Sequence, residues 1–279
     1  IDLPTPAFPD RGRITASVRS AIADSFPGTG NVEVAFVSNV RGLNSGGTLG
    51  LRVKNVVAVG SGKGGVGKST VAATLAYGLK SLGCQVGLMD ADVYGPSIPH
   101  MVGAHGRPSA VKHKTSTGEE FERIEPVVAN GLKVISMGYF VQPDQAVIWR
   151  GPMLHKALEQ FLADVFWDEP DFLLVDMPPG TGDIALSLSQ YLPRAEVLVV
   201  TTPQEAAQKV ARLSAAMAAK VNLPVRGIIE NMSWFTGDDG KKYELFGSGG
   251  GQLLADELNV PLLAQIPLMT ALREGGDDG

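Results

Sequence analysis

The feature that most constrains this chain is an apolar run, Val56–Val59, that passes straight into Gly60-Ser61-Gly62-Lys63-Gly64-Gly65-Val66-Gly67-Lys68-Ser69-Thr70. Gly62, Gly67, Lys68 and Ser69 fit the pattern G-x-x-x-x-G-K-[ST]. The residue types follow from the chemistry. Glycines let successive backbone N–H groups turn toward phosphates. A helix starting just beyond the loop favours anions at its N-terminus. Lys68 supplies a cation for the β- and γ-phosphates, and Ser69 a hydroxyl for Mg²⁺. Gly60, Gly62 and Gly65 also fit G-x-G-x-x-G, with Asp90 as the ribose-binding acid of a dinucleotide site. The added Gly67-Lys68-Ser69 is more specific and favours a phosphate loop.

Such a loop needs a strand before it and a helix after it, and the chain from Leu51 onward supplies many such units. Apolar strands are expected at 56–59, 86–89, 132–137, 172–175, 197–201, 225–229 and 261–266. Helices are expected at 69–82, 153–165, 205–220 and 250–258. Strands apolar on both faces, alternating with helices, imply an α/β fold of the phosphate-loop NTPase kind. Its sheet is mainly parallel, with helices on both faces. Ligands in such folds bind at the carboxyl ends of the strands. Residues 102–131 are polar and weakly periodic and read as an insertion. The first fifty residues differ. Asp10 is placed to cap a helix carrying Ile14, Val18, Ala21 and Ile22, and Asn31–Val37 alternates like a half-buried strand. Arg41–Gly50 reads as a linker. We therefore expect a small α/β remnant with linker at 1–50 and an ATPase domain at 51–279.

Acids at strand ends complete the chemistry. Phe172–Val175 leads into Asp176, which is expected to support Mg²⁺ from its second shell. Pro178–Asp183 follows with the glycines of a loop that moves with the γ-phosphate. Asp90 and Asp92 end the strand after the loop helix. Because the chain turns at Gly95-Pro96, the two carboxylates are expected to do different jobs.

Composition excludes several functions. Lys plus Arg total 24 and Asp plus Glu 29, a net charge of −5, which gives no support for nucleic acid as a partner. A single Cys rules out a disulfide framework and, within one chain, any site needing two thiolates. No apolar run approaches the ~18 residues of a membrane span, and no signal peptide is visible, so no membrane partner and a cytoplasmic location are expected. The start at Ile1 and the end at Glu274–Gly279 suggest a fragment. The four histidines, His100, His105, His113 and His155, lack metal-ligand spacing.

Lys63 is not required by an ordinary phosphate loop. With it, Lys63–Ser69 resembles the deviant Walker A loop of the MinD/ParA-like ATPases. That resemblance implies a homodimer sandwiching ATP, in which Lys63 reaches the partner's nucleotide. It also implies that Asp92 orients water and that Asp90 anchors its loop or supports Mg²⁺ indirectly. Asn231 would read adenine. Thr202–Glu205 is placed either to line the base pocket or simply to start a helix. Longer strings, Asp90–Ser97, Trp149–Met153, Val175–Asp183, Thr201–Gln204 and Glu230–Ser233, together resemble the Mrp/ApbC family of iron–sulfur cluster carrier ATPases. The resemblance covers about residues 51–275. Thr5–Pro9 with its helix and strand resembles the end of the small domain preceding the ATPase in many members.

The family implies ATP, Mg²⁺ and a 4Fe–4S cluster, delivered from iron–sulfur scaffolds to apoprotein clients. It usually carries a C-x-x-C pair after the Asn-Met-Ser string. Here Trp234–Gly247 holds no Cys, so no iron–sulfur ligand is identified. Gly237–Gly240 reads as a tight turn, and Cys84 belongs to the opposite end of the sheet. Two readings follow: a cluster carrier driven by ATP, or a MinD/ParA-like dimer switch that recruits a partner and holds no cluster. The family strings favour the first.

Overall fold

A computed structural model describes residues 1–279 apart from 7, 43–46, 115–117, 119, 141–150 and 181–182. In chain order the elements are β1 (Asp2–Leu3), α1 (Arg11–Ser25), β2 (Val37–Ser38), β3 (Asn55–Ser61), α2 (Lys68–Ser81), β4 (Val86–Asp90) and α3 (Ile98–Met101). Next come β5 (Ser109–Lys114), β6 (Glu120–Glu125), β7 (Val127–Ala129), β8 (Leu132–Ser136), α4 (Gly151–Ala163), β9 (Phe172–Asp176) and α5 (Asp183–Tyr191). The chain closes with β10 (Glu196–Thr201), α6 (Glu205–Lys220), β11 (Val225–Thr236), β12 (Lys242–Tyr243), α7 (Gly250–Leu258), β13 (Leu262–Leu268) and α8 (Thr270–Asp278).

The main sheet runs β12-β11-β10-β3-β9-β4-β8-β7, with β13 also paired to β11. All its pairings are parallel except β11–β12 and β7–β8. The two-residue side-chain period splits each central strand between two cores. Val56 and Ala58 of β3 and Met89 of β4 join the core under α4, α5, α6 and α7. Val57 and Val59 of β3 and Leu88 of β4 face the core under α2 and α3. Helices therefore cover both faces, as the sequence pattern requires.

Every strand and helix expected from residue 51 onward is present. The helix at α5 is additional. Between α4 and α5, His155 Nδ1 lies 2.8 Å from Ser187 Oγ and Tyr191 Oη 2.6 Å from His155 Nε2. The segment read as an insertion, 102–131, contains the antiparallel hairpin β5–β6 and then the edge strand β7. His113 there stacks between Phe121 and Phe166. The burial pattern of β5 and β6 is mostly exposed or intermediate, so the hairpin leaves little trace in hydrophobic period.

The first fifty residues depart further. Residues 31–36 form no strand; only Val37–Ser38 pairs, in parallel with Asp2–Leu3. Without neighbours to complete a sheet, the alternating residues have no ladder to join. Asp10 does not cap α1 through its side chain. Its backbone is left-handed, at φ 64°, and its carboxylate instead lies 3.5 Å from Arg13. None of the residues of α1 is buried. Parts of the Thr5–Pro9, Arg41–Gly50, Trp149–Met153 and Pro178–Asp183 strings lie outside the described residues.

Leu88 is fully buried in β4. Leu88→Ala should cost about 2–5 kcal/mol of stability, because the sheet and α2 close only partly over the cavity. Chemical denaturation measures this directly. A loss below about 1 kcal/mol would mean that this core repacks freely.

Candidate nucleotide-binding site

The strands β3, β9, β4 and β8 are neighbours and parallel, so their carboxyl ends line one edge. Asp176 lies opposite Val59 on one side and Asp90 on the other, while Asp90 lies opposite Ser136. The loop leaving β3 thus emerges beside the acids that end β9 and β4. Sheet register alone brings together residues more than a hundred positions apart.

Two glycines of the loop are required by space. A Cβ at Gly62 would lie 2.2 Å from the Val210 backbone of α6. Gly67, at φ 81°, is the N-cap of α2, in a conformation that L side chains rarely adopt. Ser61 Oγ donates to Lys63 O at 3.1 Å and ties the loop's entry. Lys63 itself is exposed.

Lys68, the first residue of α2, is buried. Its ammonium donates to Asp176 Oδ1 at 2.5 Å and lies 3.6 Å from Asp92 Oδ2. Ser69 Oγ donates to Asp176 Oδ2 at 2.6 Å. Asp176 therefore holds both residues expected to meet phosphate and Mg²⁺. Burial pushes its carboxyl above the ordinary range, while Lys68 and Ser69 pull it down.

Asp90 and Asp92 face different ways. Asp92 points toward Lys68, and its other oxygen accepts N–H bonds from Tyr94 and Gly95 at 3.3 Å each. Asp90 points into the protein and accepts from Asp92 N, Ile98 N and Ser136 Oγ at 3.1, 3.3 and 2.9 Å. It fastens the loop that carries Asp92. Sequence reasoning did not single out Ser136, although it ends a strand at the same edge as the other site residues. Burial, and then the neighbouring Asp176, push the Asp90 carboxyl up to about 7.

The donors suit Mg²⁺. Ser69 and Asp176 offer hard oxygens, and two buried carboxylates, Asp92 and Asp176, face one ammonium, a balance that favours another cation. Among the described residues no group of three or more His, Cys, Asp or Glu gathers as a metal cage. The remaining ligands would be phosphate and water, as is usual for Mg²⁺.

Beside the loop lies a cleft of about 500 Å³, walled by Thr70, Tyr77, Asn231, Met232, Leu268 and Leu272 among others. Asn231 Nδ2 also donates to Val66 O at 2.9 Å. Thr202–Glu205 is not part of that wall. Gln204 is the N-cap of α6 with Glu205 in the first turn, so the plain helix-start reading holds. Gly237–Gly240 forms the tight turn of the β11–β12 hairpin, with Gly240 N donating to Gly237 O at 2.9 Å and Phe235 opposite Tyr243. Cys84 is buried in the turn before β4, at the amino end of the sheet and away from the loop.

A family profile described as ParA, NUBPL iron-transfer P-loop NTPase, matches residues 52–279. The chain belongs to this family. It is 47% identical over 282 residues to an iron–sulfur cluster carrier protein of Synechocystis, covering 99% of this chain and 78% of the relative. A carrier of the same name from Deinococcus radiodurans is 45% identical over 280 residues, covering 100% and 77%. Among solved structures, a nucleotide-binding protein from Archaeoglobus fulgidus in complex with ADP matches with a TM-score of 0.68 and 35% identity, over 81% of this chain and 86% of that one. The cell division ATPase MinD of Pyrococcus furiosus matches at 0.54 and 23%, over 80% and 86%, and shares the fold. No helix among the described residues is long and apolar enough to cross a membrane.

The Asp90 shift has a definite sign. An unfolded Asp titrates near 4, and the folded Asp90 at about 7. Between these values the native chain holds a proton that the unfolded chain has lost. The stability from this group is complete below pH ~4 and is lost as pH rises through 7. The thermal midpoint of the unmodified protein should therefore fall more steeply than that of Asp90→Asn from about pH 5 to about pH 8. Parallel slopes would contradict the shift.

Proposed function

We propose that this protein is an ATP-binding, ATP-hydrolysing iron–sulfur cluster carrier that works as a nucleotide-dependent homodimer. It would take clusters from a scaffold and deliver them to apoproteins in the cytoplasm. The observation that carries the reading is the convergence of Lys68, Ser69, Asp92 and Asp176 on a phosphate loop, in a chain of an iron-transfer family.

Residues Gly62, Lys63, Gly64, Gly65, Val66, Gly67, Lys68, Ser69 and Thr70 wrap the triphosphate with backbone N–H groups. The γ-phosphate competes with Asp176 for the Lys68 ammonium. Ser69 holds Mg²⁺ directly and Asp176 holds it through water. Bound there, the ion would offset the charge that develops on the phosphates. Asp92, beside Lys68 and braced by its own turn, orients the attacking water. Lys63 crosses to the partner's nucleotide, which its exposure permits. Asn231 faces the base from the cleft wall.

The cluster is cargo, and its ligands are a separate question. One Cys per chain gives a homodimer two thiolates, short of the four that usually hold a cluster. Cys84 is also buried at the wrong end of the sheet. Residues 1–279 thus do not supply a four-thiolate set by themselves; ligation would use Cys outside them or donors other than thiolate. Nothing in the ATP site depends on them.

Lys68→Ala should lower ATP affinity on the order of 100-fold, since a charge-assisted contact is lost. Calorimetry checks this, and unchanged affinity would sink the assignment. Lys63→Ala should keep ATP binding but lose hydrolysis and nucleotide-driven dimerisation; unaltered turnover would remove Lys63 from the mechanism. Anaerobic reconstitution should yield stoichiometric iron and acid-labile sulfide per dimer, with a visible charge-transfer band. A colourless protein that still hydrolyses ATP would instead support the dimer-switch reading.

A further inference from the structure

Asn231 occupies an irregular point of the sheet. The β11–β13 register shifts between Asn231 and Phe235, and Met232 holds a left-handed φ of 56°. Such a φ is uncommon for a residue other than glycine. On the other side, Glu230 is fully buried and clamped by three donors: Gly251 N at 2.5 Å, Gln265 Nε2 at 2.8 Å and Ser233 Oγ at 2.9 Å. Both neighbours of Asn231 are therefore held, and its carboxamide is aimed rather than free to search.

The aim is at the phosphate loop. Asn231 Nδ2 donates to Val66 O at 2.9 Å, in a buried setting. A carbonyl only accepts, so the amide nitrogen must face it. The space beyond is equally tight: a Cβ on Gly67 would lie 2.2 Å from Asn231 Nδ2. The Val66 carbonyl and the Gly67 N–H belong to one planar trans peptide and point in opposite directions. Fixing the carbonyl toward Asn231 therefore fixes that N–H the other way. Only the Gly67–Lys68 peptide stands between it and Lys68.

We propose that Asn231 is a positioning residue for the phosphate loop. It orients the Val66–Gly67 peptide for a polyphosphate whatever base is attached. The same carboxamide lines the cleft and carries a second N–H and an acceptor oxygen, so contact with a base there is transmitted to the phosphate cradle through one side chain. The proposal rests on the nucleotide-site reading above and adds to it an effect that needs no base.

The test uses Mg²⁺-tripolyphosphate, which has phosphates but no base, measured by calorimetry beside ATP. Asn231→Ala should weaken tripolyphosphate binding about tenfold, the size of one lost hydrogen bond in a buried site, and the near-isosteric Asn231→Asp should weaken it too. Asn231→Asp should lose more, since a carboxylate then faces a carbonyl. Relative to the unmodified protein at the same pH, it should recover affinity on acidification, when a protonated carboxyl can again donate to Val66 O. General damage to the fold would give no such recovery. Unchanged tripolyphosphate affinity in both variants, with ATP affinity alone reduced, would make Asn231 a base reader only and overturn the proposal. Failure of the unmodified protein to bind ATP at all would remove the nucleotide-site reading and this proposal together.

Discussion

The contact between Lys68 and Asp176 organises the rest of the site. Both side chains are buried, and the distance is 2.5 Å. A buried ion pair is a poor source of stability, because desolvation offsets much of its attraction. Separating the two without a replacement is costly. The surroundings are arranged accordingly. Ser69 shares the same carboxylate, Asp92 stands 3.6 Å from the same ammonium, and the glycine loop leaves a place where phosphate oxygens can substitute for a carboxylate.

Around that pair, buried carboxylates serve as fasteners for the backbone. Asp90 holds Asp92 and the start of α3; Asp92 holds Tyr94 and Gly95; Glu230 holds the first turn of α7. Each acid serves N–H groups of loops and helix starts that the sheet does not. Positions that look in sequence like a row of catalytic acids thus divide into one that meets Lys68 from a loop, one that meets it from a strand, and others that keep those loops in place.

The stretch after Asn231, where the resembled family usually carries its C-x-x-C pair, holds no Cys here. The hairpin after Asn231 is a compact turn in which Tyr243 Oη donates to Asp239 Oδ2 at 2.9 Å and Lys242 sits over the Trp234 ring. It offers no thiolate.

The sequence by itself determined the parallel α/β layering, the phosphate loop, and the identities of Lys68, Ser69, Asp92 and Asp176. These depend on short-range signals: apolar runs of strand length, a glycine pattern with a lysine, and acids placed directly after strands. Its helix limits at 205–220 and 250–258 match α6 and α7, because each is amphipathic and bounded by clear start or stop residues. Only the tertiary structure decided which acid meets Lys68 and which turns inward to Ser136, since strand register sets that orientation. It also decided that 31–36 forms no strand, and that Asn231 reaches back to Val66 across 165 positions of chain. Those outcomes depend on long-range pairing and on where a neighbouring strand happens to stand, and a local pattern carries no record of either.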